Sequence, residues 1–179
     1  MKHPSRSTAT QRGFLLIEIL VTLVITAFGL LGLAGFVVKA TALTADSAQR
    51  ARAAALLLDM KSRVANNKAN AAAYVSATVH GAAARDCAGQ AGVARDLCDW
   101  NNLLVGTNDA QAGGNAALLG FRGCVTRPNA LQPVFVVTVA WGSLAPGVPP
   151  ADLCAQSAFG DDSLRRVIRA QVRVATLSA

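Results

Sequence analysis

Few residues of this chain could do chemistry, and the most unusual of them is Glu18, its only glutamate. Glu18 lies in the apolar run from Phe14 to Val38, which contains no other charged residue. A charge at the centre of a membrane helix costs about 2.5–3.5 kcal/mol on insertion scales, and such residues usually serve a function. Because an unpaired buried carboxylate is costly, we expect Glu18 to pair with a positive group, either in its own chain or in a neighbour.

The second group of reactive residues is four cysteines, Cys87, Cys98, Cys124 and Cys154, which all follow the apolar run. An even number of cysteines in an exported domain indicates two disulfides. Of the three possible pairings we predict the sequential one, Cys87–Cys98 and Cys124–Cys154, because it closes short local loops. A zinc site is the alternative, but no C-x-x-C pair occurs. We predict no metal and no cofactor.

Catalytic residues are scarce. Beyond His3, close to the N-terminus, the only histidine is His80, on which any Ser-His-Asp or Cys-His arrangement would depend. We expect His80 to be a solvated loop residue. Gly29, Gly32 and Gly35 lie within the apolar run and match no phosphate-binding loop. The sequence therefore predicts that the chain is not an enzyme; the alternative is a membrane-anchored periplasmic hydrolase that needs His80.

The chain is basic, and two groups of its positive charges have a predicted role. The net charge is +7, and Lys2, Arg6 and Arg12 supply three of the positive charges before the apolar run. Near the C-terminus, a basic stripe is predicted on the last strand, formed by Arg165, Arg166, Arg169 and Arg173. We expect this stripe to protect an edge strand against aggregation. The alternative is salt-sensitive DNA binding.

The elements that position these residues begin with a membrane-length helix. Residues 14–38 would form roughly 37 Å of helix, more than the ~30 Å hydrocarbon core of a bilayer. The preceding basic residues predict a cytoplasmic N-terminus and a periplasmic domain. One alternative is a secretory signal cleaved after Ala42, but such signals have shorter apolar regions. Another is a plain single-pass anchor, which leaves Glu18 unexplained.

Residues 39–67 are predicted to continue the helix in amphipathic form. Ala53, Leu57, Met60 and Val64 form one apolar stripe at helical spacing, and we expect this stripe to lie on a sheet. The remainder, residues 68–179, forms the globular domain. Its first part, residues 68–118, has weak periodicity and is predicted to be a loop region with a short helix or two, one disulfide, and Trp100 packed beneath it.

Strand patterns occupy the second part of the domain, residues 119–179. The predicted strands are Leu119–Thr126, Val134–Trp141 and Arg165–Thr176. In the last of these, apolar and polar residues alternate, which is typical of a half-buried strand. One long helix followed by strands and turns predicts an α+β fold in which an antiparallel sheet packs on the helix.

The stretch Gly13-Phe14-Leu15-Leu16-Ile17-Glu18 resembles the processing site of type IV pilins and pseudopilins. The resemblance implies a leader of residues 1–13, cleavage by prepilin peptidase between Gly13 and Phe14, and N-methylation of Phe14. It further implies the pilin fold, and that Glu18, the fifth mature residue, meets the N-terminal amine of a neighbouring subunit. Leu15 departs from the family, in which Thr or Ser is commoner.

A weaker resemblance covers the rest of the chain. Cys124 to Pro128, Val137 to Trp141 and the GLLGLAG run look like the minor pilins called PilV, the type IV pilus modification proteins. This implies a subunit that moves from the inner membrane to an extracellular pilus and serves pilus assembly, adhesion or twitching motility. Its implied partners are prepilin peptidase, major and other minor pilins, and the pilus assembly platform.

Two alternative functions stay open. One is a minor pseudopilin of type II secretion, some of which bind calcium through clustered acids. The only comparable group here is Asp152 with Asp161 and Asp162, so we expect no calcium site. The other is a DNA-binding minor pilin of a competence pilus, for which the basic stripe would be the contact surface.

Overall fold

The computed structural model describes residues 14–106 and 120–174, with side chains from Leu16 onward. Within this part, the elements follow the order α1 (Phe14–Asn66), a 3-10 helix (Lys68–Tyr74), α2 (Gly92–Val105), β1 (Arg122–Thr126), β2 (Val134–Gly142), a second 3-10 helix (Asp162–Leu164) and β3 (Arg165–Arg173). The described chain divides into two compact units, which meet between Ala45 and Asp46. Helix α1 belongs to both units.

Helix α1 is long because its 53 residues contain neither a proline nor a C-terminal capping motif that would end it. It ends where a run of polar residues begins. Asn67 leaves helical geometry at φ −106° and ψ 57°, and the side chain of Asn70 donates a hydrogen bond to the side-chain oxygen of Asn67 at 2.9 Å. Arg63 lies in the last turn, where a positive charge is favoured by the helix dipole. The predicted continuation of the helix through residues 39–67 is confirmed to within one residue.

The sheet has three antiparallel strands in the order β1-β2-β3. Cys124 of β1 is opposite Thr138 of β2, which in turn is opposite Arg169 of β3. Strand β2 matches its prediction within one residue. Strand β1 begins at Arg122, later than predicted, and the predicted start at Leu119 lies outside the described residues. The predicted end of β3 at Thr176 also lies outside them.

One core joins the second half of α1 to the sheet. The whole predicted stripe is buried: Ala53, Leu57, Met60 and Val64. It shares a cluster with the sheet residues Phe135, Val137, Val139, Trp141 and Val172. The fold is therefore α+β, with a long N-terminal helix packed on an antiparallel sheet, as predicted.

Residues 68–106 fill the space beside this core. Trp100 of α2 is fully buried, as expected, and its indole N–H donates to the Leu56 carbonyl of α1 at 2.9 Å. Asp96 of α2 accepts hydrogen bonds from the Tyr74 hydroxyl and, at 3.0 Å, from Arg63. These contacts connect α2 to the second half of α1, so α2 is positioned by one buried and two partly buried polar contacts as well as by packing.

Candidate functional site at the N-terminal helix

The first described residue of α1 is Phe14. Gly13 and the rest of the predicted leader, residues 1–13, lie outside the described residues. The predicted cleavage between Gly13 and Phe14 and the N-methylation of Phe14 therefore stay predictions. Because α1 runs from Phe14 to Asn66, the alternative signal-peptidase site after Ala42 falls inside a helix.

Glu18 lies one helical turn after Phe14, about 6 Å along the axis, and its side chain is exposed. Two other polar residues occur in the apolar run, and their hydroxyls donate to carbonyls of the same helix. Thr22 donates to Ile19 at 2.9 Å, and Thr26 donates to Thr22 at 2.6 Å. An ionised carboxylate has no proton to donate, so it cannot donate a hydrogen bond to a carbonyl of its own helix as the threonine hydroxyls do. It can only accept a hydrogen bond or pair with a cation, from its own chain or from a neighbour.

The first unit presents an almost continuous apolar surface. Leu16 is 72% exposed, Phe28 71% and Phe36 69%, and the large side chains between them are exposed to similar degrees. Such a surface is unstable in water, since each Å² of exposed apolar area costs about 25 cal/mol. Helix α1 is long and apolar enough to cross a membrane. The surface therefore fits lipid or other helices.

Three glycines interrupt this apolar surface. A Cβ atom added at Gly29, Gly32 or Gly35 would meet no heavy atom within 4 Å. Packing within the chain therefore gives no reason for glycine, although each costs ~1 kcal/mol relative to alanine in a helix. Glycines on a membrane helix let a second helix approach closely.

The two predicted disulfides are both formed. Cys87–Cys98 has a Cα–Cα distance of 5.7 Å and ties the segment before α2 to the middle of α2. Cys124–Cys154 has a Cα–Cα distance of 5.9 Å and ties β1 to the loop between β2 and β3. All four thiols are consumed in this way. Each disulfide thus ties a connecting segment of the domain to a helix or a strand.

The basic stripe differs from its prediction. Arg165 does not belong to it, because its side chain is only 1% exposed. Its guanidinium donates to the Asp162 carboxylate at 2.6 and 3.0 Å and to the carbonyls of Pro150, Asp152 and Cys154. The prediction failed because alternation along a strand indicates the face on which a residue lies, but not whether a distant loop covers that face.

The remaining arginines of β3 behave differently from one another. Arg166 is half-buried and donates to the Ala145 carbonyl at 2.6 Å and to the Ser163 carbonyl at 2.9 Å. Arg169 and Arg173 are exposed. The solvent-facing part of the predicted stripe is thus reduced to Arg169 and Arg173.

The acids considered for calcium bind protein groups. Asp162 binds Arg165, and this hydrogen bond lowers the pKa of the Asp162 carboxyl. Asp161 accepts from the backbone N–H and the hydroxyl of Ser163, which lower its pKa. Asp152 accepts from the Cys154 backbone N–H at 2.9 Å. Among residues 14–106 and 120–174, no cluster of His, Cys, Asp and Glu is suited to a metal ion.

The expectation that His80 is solvated is wrong, because its side chain is 2% exposed. The backbone of His80 exchanges two hydrogen bonds with Gly123 of β1, at 2.9 and 3.0 Å, and its ring lies 5.7 Å from the Trp100 ring. Neither ring nitrogen has a hydrogen-bond partner among the described residues. Burial, together with the nearby charge of Arg85, lowers the pKa of His80. No strand pattern in the sequence indicated this pairing.

Comparisons with protein-family models, with curated proteins and with solved structures found no match for this chain.

Proposed function

We propose that this chain is a minor pilin of a type IV pilus, of the PilV kind. The observation that carries the proposal is the long helix α1, which the structure describes from Phe14 to Asn66. It presents an exposed apolar surface with one carboxylate at the fifth position, Glu18, and it leads into a disulfide-bonded α+β domain. A plain membrane anchor would need the apolar surface but not the carboxylate.

In this proposal, prepilin peptidase cleaves after Gly13 and leaves a positive amine on Phe14, which is then N-methylated. The precursor spans the inner membrane with its N-terminus in the cytoplasm, and the domain with its disulfides lies in the periplasm. Extraction by the assembly platform then moves the apolar helix from lipid into a filament among major and other minor pilins.

The carboxylate gives this transfer its specificity. The apolar side chains of the helix are in a similar environment in lipid and in a bundle of apolar helices. Moving them from one to the other therefore drives helix association only weakly. Glu18 is different, because its charge requires a cationic partner in an apolar core. Pairing of Glu18 with the Phe14 amine of a neighbouring subunit fixes the axial register between two helices. Gly29, Gly32 and Gly35 allow the close helix packing that such a core needs.

The contribution to the pilus would be assembly, adhesion or twitching motility. A minor pseudopilin of type II secretion would share the same N-terminal helix and is the competing proposal. A DNA-binding competence subunit is less well supported, because Arg165 is buried and Arg166 binds carbonyls of its own domain. It would have to rely on Arg169 and Arg173.

The test replaces Glu18 by glutamine, which keeps the size of the side chain but removes the charge. The host strain carries the full chain with Glu18→Gln, and the protein is quantified by immunoblot in membranes and in sheared pili. We expect normal amounts in the membrane and at least a tenfold loss from pili, which corresponds to about 1.4 kcal/mol.

The matched control is Thr22→Val, which removes a polar group one turn further along α1. This variant should enter pili normally, because the Thr22 hydroxyl is satisfied within its own helix. Incorporation of Glu18→Gln at the wild-type level would refute the role of the charge pair. Absence of the wild-type chain from sheared pili, together with a secretion defect in its deletion strain, would instead support the pseudopilin.

A further inference from the structure

The two edge strands of the three-stranded sheet differ in whether another segment covers their outer edge. The outer edge of β1 is covered by the segment around residues 76–80, which bonds to Gly123 and Val125 through the backbone of Ser76 and His80. The outer edge of β3 has no such cover among the residues that the structure describes. A long uncovered edge strand is a template for pairing with another chain.

The hydrogen-bond pattern shows which β3 groups are available. The Val174 N–H donates to the Pro133 carbonyl, and the Leu164 carbonyl accepts from the Ser143 N–H, so even-numbered residues of β3 point their backbone groups at β2. Odd-numbered residues therefore point theirs outward. At the start of β3 the outward Ser163 and Arg165 carbonyls are occupied by Gly147 and Arg166. Among the residues that the structure describes, the outward groups without a backbone partner belong to Val167, Arg169, Gln171 and Arg173.

The side chains along this edge indicate what can bind there. Arg169, Gln171 and Arg173 are exposed on one face of β3, while Ile168 and Ala170 are only half-buried on the other face. An added strand would complete the burial of Ile168 and Ala170 with apolar residues. On the opposite face it would bring side chains to about 5 Å from the two arginines.

The arginines also exclude some partners. Two copies of β3 paired antiparallel about Gln171 would place Arg169 of each copy against Arg173 of the other, and like charges directly opposite are destabilising. Basic strands are rejected for the same reason. Opposite charge is favoured at these positions.

We propose that the outer edge of β3 binds an extended acidic segment of another protein as an additional β-strand. The segment has acidic residues four positions apart, opposite Arg169 and Arg173, and apolar residues at the alternate positions opposite Ala170 and Val172. The backbone supplies affinity and the two arginines supply selectivity. This inference goes beyond the proposed pilus function and does not depend on it.

The test uses the full chain, labelled with ¹⁵N, in detergent micelles. The probe is the peptide acetyl-SEVTVES-amide, whose palindromic core places its acids correctly in either strand direction. Amide hydrogen exchange is measured by NMR with and without the peptide. We expect exchange at Arg169, Gln171 and Arg173 to slow at least about fivefold, because these N–H groups become hydrogen-bonded. Val167 lies beyond the end of the seven-residue peptide, so its N–H should stay unprotected. Even-numbered amides of β3 are already bonded and should not change.

A matched peptide and three variants sharpen the result. The lysine peptide acetyl-SKVTVKS-amide should give no protection. Gln171→Pro removes one outward N–H without touching the β2 ladder and should abolish binding, whereas Gln171→Ala keeps that N–H and should bind normally. Replacement of both Arg169 and Arg173 by glutamate should weaken binding of the acidic peptide about tenfold and allow the lysine peptide to bind.

Several outcomes would overturn the proposal. Unchanged exchange at the Arg169, Gln171 and Arg173 amides at millimolar peptide would exclude strand addition. Chemical-shift changes confined to side chains, without slowed exchange, would show only a charge contact. Equal protection by the glutamate and lysine peptides would refute the acidic partner. If Gln171→Pro does not fold, the comparison of Gln171→Ala with the charge-reversed variant still decides the outcome.

Discussion

Replacement of Arg165 by methionine is predicted to destabilise the globular domain. The guanidinium of Arg165 is 1% exposed and holds the loop between β2 and β3 through Asp162 and through the carbonyls of Pro150, Asp152 and Cys154. Methionine fills similar space but donates nothing. The buried Cys154 carbonyl and the partly buried carbonyls of Pro150 and Asp152 then lose their donor. A buried unsatisfied group costs about 1–3 kcal/mol, and a partly buried one costs less because water can reach it.

The expected loss in the free energy of unfolding is therefore about 3 kcal/mol. We assign no further cost to the ion pair, because Asp162 is partly solvated. For a domain of this size, each kcal/mol lowers Tm by about 4 °C, so the variant should melt about 10 °C below the wild type. The measurement is thermal unfolding of the full chain in detergent, followed by near-UV circular dichroism, which reports on the buried Trp100 and Trp141.

The matched control is Arg169→Met, four residues along the same strand. Arg169 is exposed, and an exposed substitution usually changes stability by no more than about 0.5 kcal/mol. Arg165→Lys should give an intermediate loss, because an ammonium cannot reproduce the planar fork of guanidinium. A melting temperature for Arg165→Met within about 2 °C of the Arg169→Met value would refute the reasoning.

Three further predictions follow from the same domain. Burial lowers the pKa of His80 in the folded protein, so the unfolded chain takes up a proton more readily. The free energy of unfolding should therefore fall as pH decreases below about 6.5. Chemical denaturation between pH 7.5 and 5 should show a steeper fall for the wild type than for His80→Phe, and parallel profiles would contradict this. Gly123→Ala should cost about 1–3 kcal/mol, because the new Cβ would lie 2.2 Å from the Trp100 ring; the companion change Gly142→Ala, whose Cβ would lie 3.3 Å from Phe159, should cost less in the same melting assay. Removal of the Cys87–Cys98 disulfide by a double change to alanine should cost about 3 kcal/mol, and removal of Cys124–Cys154, which spans 30 residues rather than 11, about 4 kcal/mol. Denaturant titration of each variant measures these losses, and equal losses or the reverse order would contradict a dependence on loop length.

The long helix and two of the strands could be predicted from the sequence because their patterns are local. The apolar run of α1, its later stripe, and the β-branched run of β2 each repeat with one clear period. The cysteine spacing likewise favoured the pairing that the structure shows. These features need no knowledge of distant contacts.

Features that depend on tertiary contacts were missed. His80 is buried by backbone pairing with Gly123 and by Trp100, and neither contact leaves a periodic signal near residue 80. Arg165 is buried by a loop that precedes it, although strand alternation placed it with the exposed arginines. Helix α2 lies in the region predicted to hold a short helix or two, but its bounds were not predicted, because it has no side-chain cap and its position depends on Trp100, Asp96 and the first disulfide.

The central claim is that the chain is processed as a pilin, and the N-terminus of the mature protein tests it most directly. The protein would be purified from host membranes and from sheared pili, and its first residue determined by mass spectrometry. We predict that the mature chain begins at N-methylated Phe14 in both fractions. A mature chain that begins at Leu43, cleaved after Ala42, would contradict the account, because the apolar helix and Glu18 would then be absent from the working protein.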